Sequence, residues 1–319
     1  MNKVLVTGGS GFLGGRIAKY LGEKGYEVYL ASRNPNSTPN NLTNVKPVFF
    51  NWNDADQMQN LCSDKDVVIH AAGMSAEDCA KDPIAAFEFN CIGTMKLIEA
   101  TRSNQRKKFI YLSTAHVYRS PLLGMVSEES IPKNNHPYAT SHLAGEFGVN
   151  YANVKGDIEG YNLRLSNGFG SPISDSVNCW SLFVNDICRQ VITKRQITIH
   201  SDEEQQRDFI PISNIEITIE KLIDQKNPMS ENTFNLGSGK SLSLIDMAKK
   251  IQFRSNEMFR FLPEIITNPN KKTSSDKLFE YNVDRLKSFQ LSAEVDIDKE
   301  LDSLLLYCQN RFGGQSRRV

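Results

Sequence analysis

The opening fifteen residues, Met1-Asn-Lys-Val-Leu-Val-Thr-Gly-Gly-Ser-Gly-Phe-Leu-Gly-Gly15, restrict the fold more than any other stretch of the chain. Val4, Leu5 and Val6 form a short apolar run that reads as a buried strand. Thr7 to Gly11 is a glycine-rich turn, and from there Phe12, Leu13, Ile17, Tyr20 and Leu21 recur at helical spacing. Strand, glycine turn and helix in that order make a corner where backbone N–H groups at the helix start carry partial positive charge, which suits a pyrophosphate. Gly8, Gly11 and Gly14 serve the tight turn, the close ligand approach and the close helix packing in turn. With Ser10, Phe12 and Leu13 they are the first candidate contacts for a dinucleotide.

The 319 residues allow one large α/β domain or two modest ones, and 39% hydrophobic content supports a real core. No run approaches the ~20 apolar residues of a membrane span. The N-terminus enters a strand directly, with no basic-then-apolar signal segment, so the expected location is cytoplasmic. A formal net charge of zero gives no reason to expect nucleic acid or an anionic membrane as partner. The cysteines at 62, 79, 91, 179, 188 and 308 show no Cys-x-x-Cys spacing. They read as free, mostly buried thiols rather than a metal site or a disulfide framework.

Further along, Glu27 to Ala31 reads as a second strand ending at Ser32-Arg33. In a nucleotide-binding βαβ unit this end faces the adenosine ribose, where an acidic residue would bind a free 2′-hydroxyl. Ser32 and Arg33 suit a 2′-phosphate instead, which tilts the cofactor toward NADP over NAD. Val45 to Phe50 is a third strand, with Asn51-Trp52 at its end as an adenine contact. A short helix over 54–61 precedes a fully buried fourth strand, Asp66 to His70, which runs into Ala71-Ala72-Gly73, residues small enough for a ligand to approach the backbone. The spacing predicts a long helix over 83–103 with apolar positions at 87, 91, 95 and 98. Phe109 to Leu112 is a fifth strand closed by Ser113-Thr114, residues 120–137 are loop-like, and a helix over 138–154 begins after Pro137. Tyr161 to Leu165 is a sixth strand. This alternation predicts an α/β fold with a doubly wound parallel sheet and a ligand at the carboxyl ends of its strands. Past Pro172 the pattern is irregular and mixed, and 262–280 has no clear periodicity. The expected division is a dinucleotide-binding domain over 1–170, with 207–224 returning to it, and a smaller substrate lobe over 171–319.

Several blocks in order carry a resemblance. They are Thr7-Gly-Gly-Ser-Gly-Phe-Leu-Gly14, His70-Ala-Ala-Gly73, Asn90, Ser113-Thr-Ala-His-Val-Tyr118, Pro137-Tyr-Ala-Thr-Ser141, Leu163 to Pro172, Gln206 to Ile210 and Phe234 to Gly239. Over nearly its whole length the chain resembles the extended short-chain dehydrogenase/reductase family, most closely its nucleotide-sugar epimerase, dehydratase and reductase branch. The resemblance implies a Rossmann sheet, an NAD or NADP cofactor and a nucleotide-activated sugar as substrate. It makes Tyr138 the acid/base, places Thr114 on the substrate oxygen and adds Asn90 to the residues around the cofactor. It brings Asn167 and Arg207 to the substrate and a homodimer formed through the helices over 84–103 and 138–154.

Hydride removal from a carbinol carbon needs a base for the hydroxyl proton, and a free tyrosine, with a pKa near ~10, is a poor one at neutral pH. Nearby positive charge lowers that value. In the family a lysine four residues after the tyrosine, on the same helix face, supplies the charge and also binds the nicotinamide ribose. Here that position is His142. It can still bind ribose hydroxyls, but with a reference pKa of ~6.5 its charge is not guaranteed. Two readings stand: an active enzyme with a steep pH dependence, or a dinucleotide sensor that has lost turnover. His116 occupies a position where sugar 4,6-dehydratases carry an acid, and Ala115 fills the neighbouring one, which argues against water elimination by an Asp-Glu pair. His116 is either a second acid/base beside the sugar or a buried, satisfied histidine. Arg207 either grips the substrate diphosphate or pairs with Asp208, and Arg164 points into the fold. His70, His136 and His200 lack metal-ligand spacing and read as structural or exposed. Epimerisation through a keto sugar and net reduction of a keto sugar both run through Tyr138. The family context leans to the epimerase, and Ser32-Arg33 leans to the reductase.

Overall fold

The computed structural model describes residues 2–39, 41–268, 278–294 and 296–314. The first half alternates strand and helix: β1 (Lys3–Thr7), α1 (Phe12–Glu23), β2 (Glu27–Ser32), β3 (Val45–Phe49), α2 (Ala55–Ser63), β4 (Val67–His70), α3 (Ala76–Lys81), α4 (Pro83–Phe87), α5 (Thr94–Thr101) and β5 (Lys107–Thr114). A short strand β6 (Gly124–Val126) lies within the stretch expected to be loop. The long helix α6 (Pro137–Lys155) leads to β7 (Ile158–Leu165) and β8 (Asn167–Phe169). There follow α7 (Phe183–Lys194), β9 (Gln196–Ile199), β10 (Gln206–Pro211), α8 (Ile212–Asp224), β11 (Thr233–Leu236), β12 (Ser241–Ser243), α9 (Leu244–Phe259), β13 (Glu264–Thr267), β14 (Phe279–Tyr281), α10 (Asp284–Ser288) and α11 (Ile297–Phe312).

Seven strands in the order β11-β7-β5-β4-β1-β2-β3 form one all-parallel sheet. Both faces are covered, so the strands are apolar on both sides. Val4 and Val6 point to a core shared with Ile17, Leu21, Ile215 and Ile219 of α1 and α8. Leu5 points to the opposite core, with Met58, Leu97 and Val149 of α2, α5 and α6. Strand order reverses at β1, which pairs with β2 on one side and β4 on the other. The crevice above the carboxyl ends of β1 and β4 is therefore the natural ligand position.

The third core lies in the mixed C-terminal lobe, where Val184, Ile187, Phe209, Met247, Leu304 and Cys308 pack together. Its strands form small separate sheets, with β8 parallel and β12 antiparallel to β10 and β9 paired with β13, while β6 pairs with β14 against the core of α1 and α8. The polypeptide returns to the main body more than the sequence suggests. Besides α8, strand β11 joins the central sheet beside β7. Phe234 and Leu236 are buried there, and that apolar pair is what draws the strand in. The stretch over 262–280 contributes β13 and β14, and residues 269–277 of it lie outside the described residues.

The helix expected over 83–103 is continuous but changes pitch. Asp82 caps it by accepting from Ala85 N at 3.0 Å, Pro83 opens it, and residues 88–93 form a π-helical turn between α4 and α5. Its inward face is Ala86, Asn90, Thr94, Leu97 and Ile98. Phe87 and Met95, expected inside, are exposed, and Cys91 is half-buried. The polar inward positions face the crevice and hydrogen-bond there, leaving the apolar ones outside. Ile84, Phe87, Ile92 and Met95 on this segment and Phe147, Tyr151 and Val154 on α6 are all exposed apolar side chains. Among the described residues no helix is long and apolar enough to cross a membrane.

One buried ion pair ties β5, α6 and β7 beneath the crevice. Arg164 makes a forked contact with Glu146, Nε to Oε1 at 3.0 Å and Nη2 to Oε2 at 2.6 Å, and its Nη1 donates to Tyr118 Oη at 2.8 Å. Ser113 donates to the same carboxylate, and Tyr118 donates to Asn235 on β11 at 2.7 Å. Glu146→Ala leaves the guanidinium buried without its partner and should cost about 3–5 kcal/mol. Guanidinium denaturation checks this against Glu23→Ala, which breaks the exposed Lys19–Glu23 pair and should cost under about 1 kcal/mol.

Candidate functional site

The glycine turn after β1 is closed by Gly11 N donating to Gly8 O at 2.8 Å. Gly8 has φ of +78°, and a Cβ there would lie 2.7 Å from Ala71 O and 2.8 Å from Ala72 N. A Cβ on Gly14 would lie 2.4 Å from Gly8 O, so α1 packs on the turn only because position 14 lacks a side chain. Gly11 is the N-cap of α1, no side chain caps the helix, and its first turn holds no acidic residue. The first N–H groups of α1 thus point into the crevice free of any side-chain acceptor, with Ser10 and Gly11 exposed and Phe12 and Leu13 half-buried beside them. Such a helix start forms a cradle for an anion.

On the β2 and β3 side a cleft of about 780 Å³ is lined by Arg33, Asn51, Trp52, Phe89, Ile92 and Lys96 among others. Trp52 meets Phe50 and Phe89 edge-on, with ring centroids 4.8 and 5.1 Å away. Asn51 Oδ1 accepts from Asn53 N at 3.1 Å, which leaves its amide nitrogen for a ligand. At the end of β2, Ser32 Oγ is buried with no hydrogen-bond partner, and Arg33 beside it is exposed. A glycine cradle, an uncapped helix start and an orphaned hydroxyl at the ribose position together fit a dinucleotide.

The floor of the crevice is a neutral hydrogen-bonded network. His70 is fully buried, with Nδ1 2.8 Å from Thr7 Oγ1 and Nε2 3.0 Å from Thr94 Oγ1. Burial, then the nearby His142, pushes its pKa down to about 3. Asn90, expected around the cofactor, hydrogen-bonds within the protein. Its Oδ1 accepts from Met74 N at 2.9 Å, and its Nδ2 donates to Ser141 Oγ at 3.0 Å. It fixes the wall formed by the loop after Gly73, because a buried amide must satisfy both ends locally.

Thr114 ends β5 and Tyr138 opens α6, and the two face each other across the carboxyl edge of the sheet. Thr114 is buried, and its Oγ1 accepts from His116 N at 3.1 Å. Pro137 at the first helical position and His136 as cap, accepting from Tyr138 N at 3.2 Å, start the helix at the tyrosine. Burial raises the Tyr138 pKa above its ordinary value, and the Thr114 hydroxyl opposes the rise. One turn on, His142 packs against Tyr138 with ring centroids 4.6 Å apart. It is buried, Nδ1 lies 2.9 Å from Tyr111 Oη, and burial pushes its pKa down to about 4. His142 is therefore neutral at pH 7, and the charge that a lysine would bring to Tyr138 is missing.

His116 is exposed at the mouth of the site, its ring 6.5 Å from that of Tyr138, which removes the reading of a buried, satisfied histidine. The protein packed around it, then Arg207 and His136, hold its pKa below the ordinary value. Arg207 does not pair with Asp208. Its Nη2 donates to Gln205 at 3.1 Å, whereas the buried Asp208 carboxylate takes Ser166 Oγ, Ser238 N and Ser238 Oγ. No carboxylate neutralises Arg207 among the described residues. Asn167, in register with Phe209 on β10, donates to Asp208 O at 2.9 Å and leaves its carbonyl oxygen available. Arg164 points into the fold, as its sequence position suggests. Tyr111 is the site residue the motifs pass over, although a hydroxyl within the apolar run Phe109 to Leu112 is itself a signal.

The depressed histidines bear on stability. An unfolded histidine titrates near ~6.5, whereas folded His142 titrates at about 4. Between those values the unfolded chain binds a proton that the folded chain does not, so stability falls as pH falls through this window, by about 1.4 kcal/mol per pH unit for one group. His142→Gln should flatten the curve by about that slope in urea denaturation between pH 6.5 and 4.5; parallel curves would contradict it.

Known proteins share the family and the fold. The model of the NAD dependent epimerase/dehydratase family matches residues 4–237. UDP-glucose 4-epimerase of Mycoplasma genitalium is 24% identical over 293 residues, covering 84% of this chain and 86% of that protein. The UDP-glucuronic acid 4-epimerase of Bacillus cereus, solved with UDP-glucuronic acid and NAD, superposes with a TM-score of 0.79 at 22% identity over 97% of this chain and 99% of that one. RMD of Pseudomonas aeruginosa, solved with NADPH, superposes with a TM-score of 0.78 at 20% identity over 98% of this chain and 100% of that one. With a family model covering well over half its length, and the glycine cradle and Thr114–Tyr138 pair in place, the chain belongs to the NAD-dependent epimerase/dehydratase family, the nucleotide-sugar branch of the extended short-chain dehydrogenases.

Proposed function

We propose that this protein epimerises a nucleotide-activated sugar through a keto-sugar intermediate, with Tyr138 as acid/base. The supporting observation is the Thr114–Tyr138 pair at the carboxyl edge of the sheet, with the unneutralised Arg207 on the substrate side. Bound in the glycine cradle, the dinucleotide supplies a hydride acceptor and donor. Tyr138 takes the proton from the sugar hydroxyl as oxidation proceeds and returns it afterwards, while Thr114 holds the same oxygen. Arg207 makes a forked contact with the diphosphate and Asn167 steadies the substrate beside it. His116, beyond Tyr138, is the second acid/base candidate. The relatives that act on UDP-glucose or bind UDP-glucuronic acid support a UDP- or dTDP-type sugar.

NADP is favoured over NAD, because the end of β2 carries Ser32 and Arg33 and no acid. The exposed apolar side chains on α4, the π turn, α5 and α6 support a homodimer through those helices. A second reading, reduction of a keto-sugar nucleotide, is favoured by one observation. With His142 neutral and the Tyr138 pKa raised, the phenol stays protonated at neutral pH, ready to donate to a carbonyl oxygen.

Tyr138→Phe should keep dinucleotide affinity while turnover falls about 10²–10⁴-fold; equal turnover would remove the mechanism. In the alcohol-oxidising direction the base is the phenolate, so the wild-type rate should climb about tenfold per pH unit from pH 7 to 9. His142→Lys should bring the plateau to lower pH, because an ammonium favours the phenolate. A plateau unmoved in that variant would contradict a role for position 142 in setting the base.

A further inference from the structure

The buried network beneath the crevice fixes where its protons lie. Thr94 Oγ1 donates its one proton to the Asn90 carbonyl at 2.6 Å, so at its 3.0 Å contact with His70 Nε2 the ring nitrogen donates. Neutral His70 therefore carries its proton on Nε2, and its Nδ1 accepts from the Thr7 hydroxyl at 2.8 Å, whose oxygen also takes Ala72 N at 3.4 Å. That leaves Tyr111, fully buried and stacked on His70 with ring centroids 5.4 Å apart. Its hydroxyl lies 2.9 Å from His142 Nδ1, 3.5 Å from Asn90 O, which already takes the proton of Thr94, and within hydrogen-bond reach of the Thr94 hydroxyl, which already takes the proton of His70. The His142 nitrogen is the one of the three with no other donor, and it is the acceptor for the phenol proton. Gly145 makes this placement possible, since a Cβ there would lie 2.8 Å from Tyr111 Oη.

We infer that Tyr111 is a positioning residue that locks His142 in the tautomer with its proton on Nε2, so that the ring offers an uncharged donor to a ribose hydroxyl of the dinucleotide. Nε2 has no hydrogen bond within the protein among the described residues. That edge of the ring faces Gly73, whose missing Cβ would lie 3.4 Å from Cε1 and 3.6 Å from Nε2. The donor thus opens onto the crevice at the small-residue stretch after β4. The ionisable groups around the pair are His70 from β4, Cys91 from the π turn, and Tyr138 and Glu146 from α6, and none of them is a cation. Glu146 is itself tied to Arg164. Burial keeps Tyr111 protonated well above neutral pH, so its donation persists throughout the working range. The ribose contact of the family's lysine is kept in this arrangement and its charge is given up.

The inference rests on the dinucleotide reading for the ribose contact, but the tautomer itself is a property of the free protein. Imidazole ¹⁵N–¹H correlation spectra of uniformly labelled protein, with the His142 signals identified by their loss in His142→Gln, read the tautomer directly. The expected result is a neutral Nε2–H ring unchanged from pH 6 to 9. An Nδ1–H ring, or an imidazolium at pH 7, would overturn the lock. Tyr111→Phe should release the ring into a tautomer mixture and weaken NADP and NAD binding about 3–10-fold, the worth of one hydrogen bond. A pure Nε2–H signal with unchanged affinity in that variant would overturn the role of Tyr111. Failure of the wild type to bind either dinucleotide would instead count against the proposed function and leave the tautomer measurement standing.

Discussion

The organisation of this molecule depends on one uncapped helix start. The first N–H groups of α1 open onto the crevice with no side-chain acceptor, and everything nearby is shaped to keep them so. Gly8 and Gly14 bring strand, turn and helix together at distances that no Cβ tolerates, and the backbone of Ala71 and Ala72 closes the other side. The sheet order then matters, because reversal at β1 leaves the space above β1 and β4 uncovered. A dinucleotide phosphate is the anion that this geometry fits, and the position of the phosphate determines where the reactive ring must lie.

From that anchor, the chemistry becomes a question of charge. A tyrosine used as a base needs a cation nearby or a high pH. Among the described residues no cation stands beside Tyr138, because His142 is buried against Tyr111 and Tyr138 and stays neutral. The site retains orientation and hydrogen bonding while forgoing the electrostatic help, which weights it toward proton donation at neutral pH. On the substrate side the balance is reversed. Among the described residues no carboxylate pairs with Arg207, since Asp208 spends its own on Ser166 and Ser238, and an arginine left so suits the proposed diphosphate contact.

Much of this was legible in the sequence. The Val4–Leu5–Val6 run, the glycine triplet and the alternation of apolar strand and amphipathic helix gave the parallel sheet, and Pro137 marked the start of the helix that carries Tyr138. What was hidden depended on contacts between distant segments. Nothing local says that Asn90 spends its amide on Met74 and Ser141, or that Phe87 and Met95, on either side of a π turn, face outward. The ionisation of His142 depends on burial, which a motif cannot report. Strand β11 looks like any short apolar segment until β7 is beside it. The same applies to Tyr111, whose neighbours His70 and His142 are far away in sequence and adjacent in space.

The account stands or falls on whether a hydride moves between a dinucleotide in the glycine cradle and a sugar held beside Tyr138. The direct measurement is absorbance at 340 nm on mixing the protein with NADP⁺ or NAD⁺ and a panel of UDP- and dTDP-linked sugars, followed in both directions. The account predicts reduced nicotinamide appearing with at least one of them, more strongly as the pH is raised. Tight dinucleotide binding with no absorbance change in either direction, for any sugar in the panel, would contradict it.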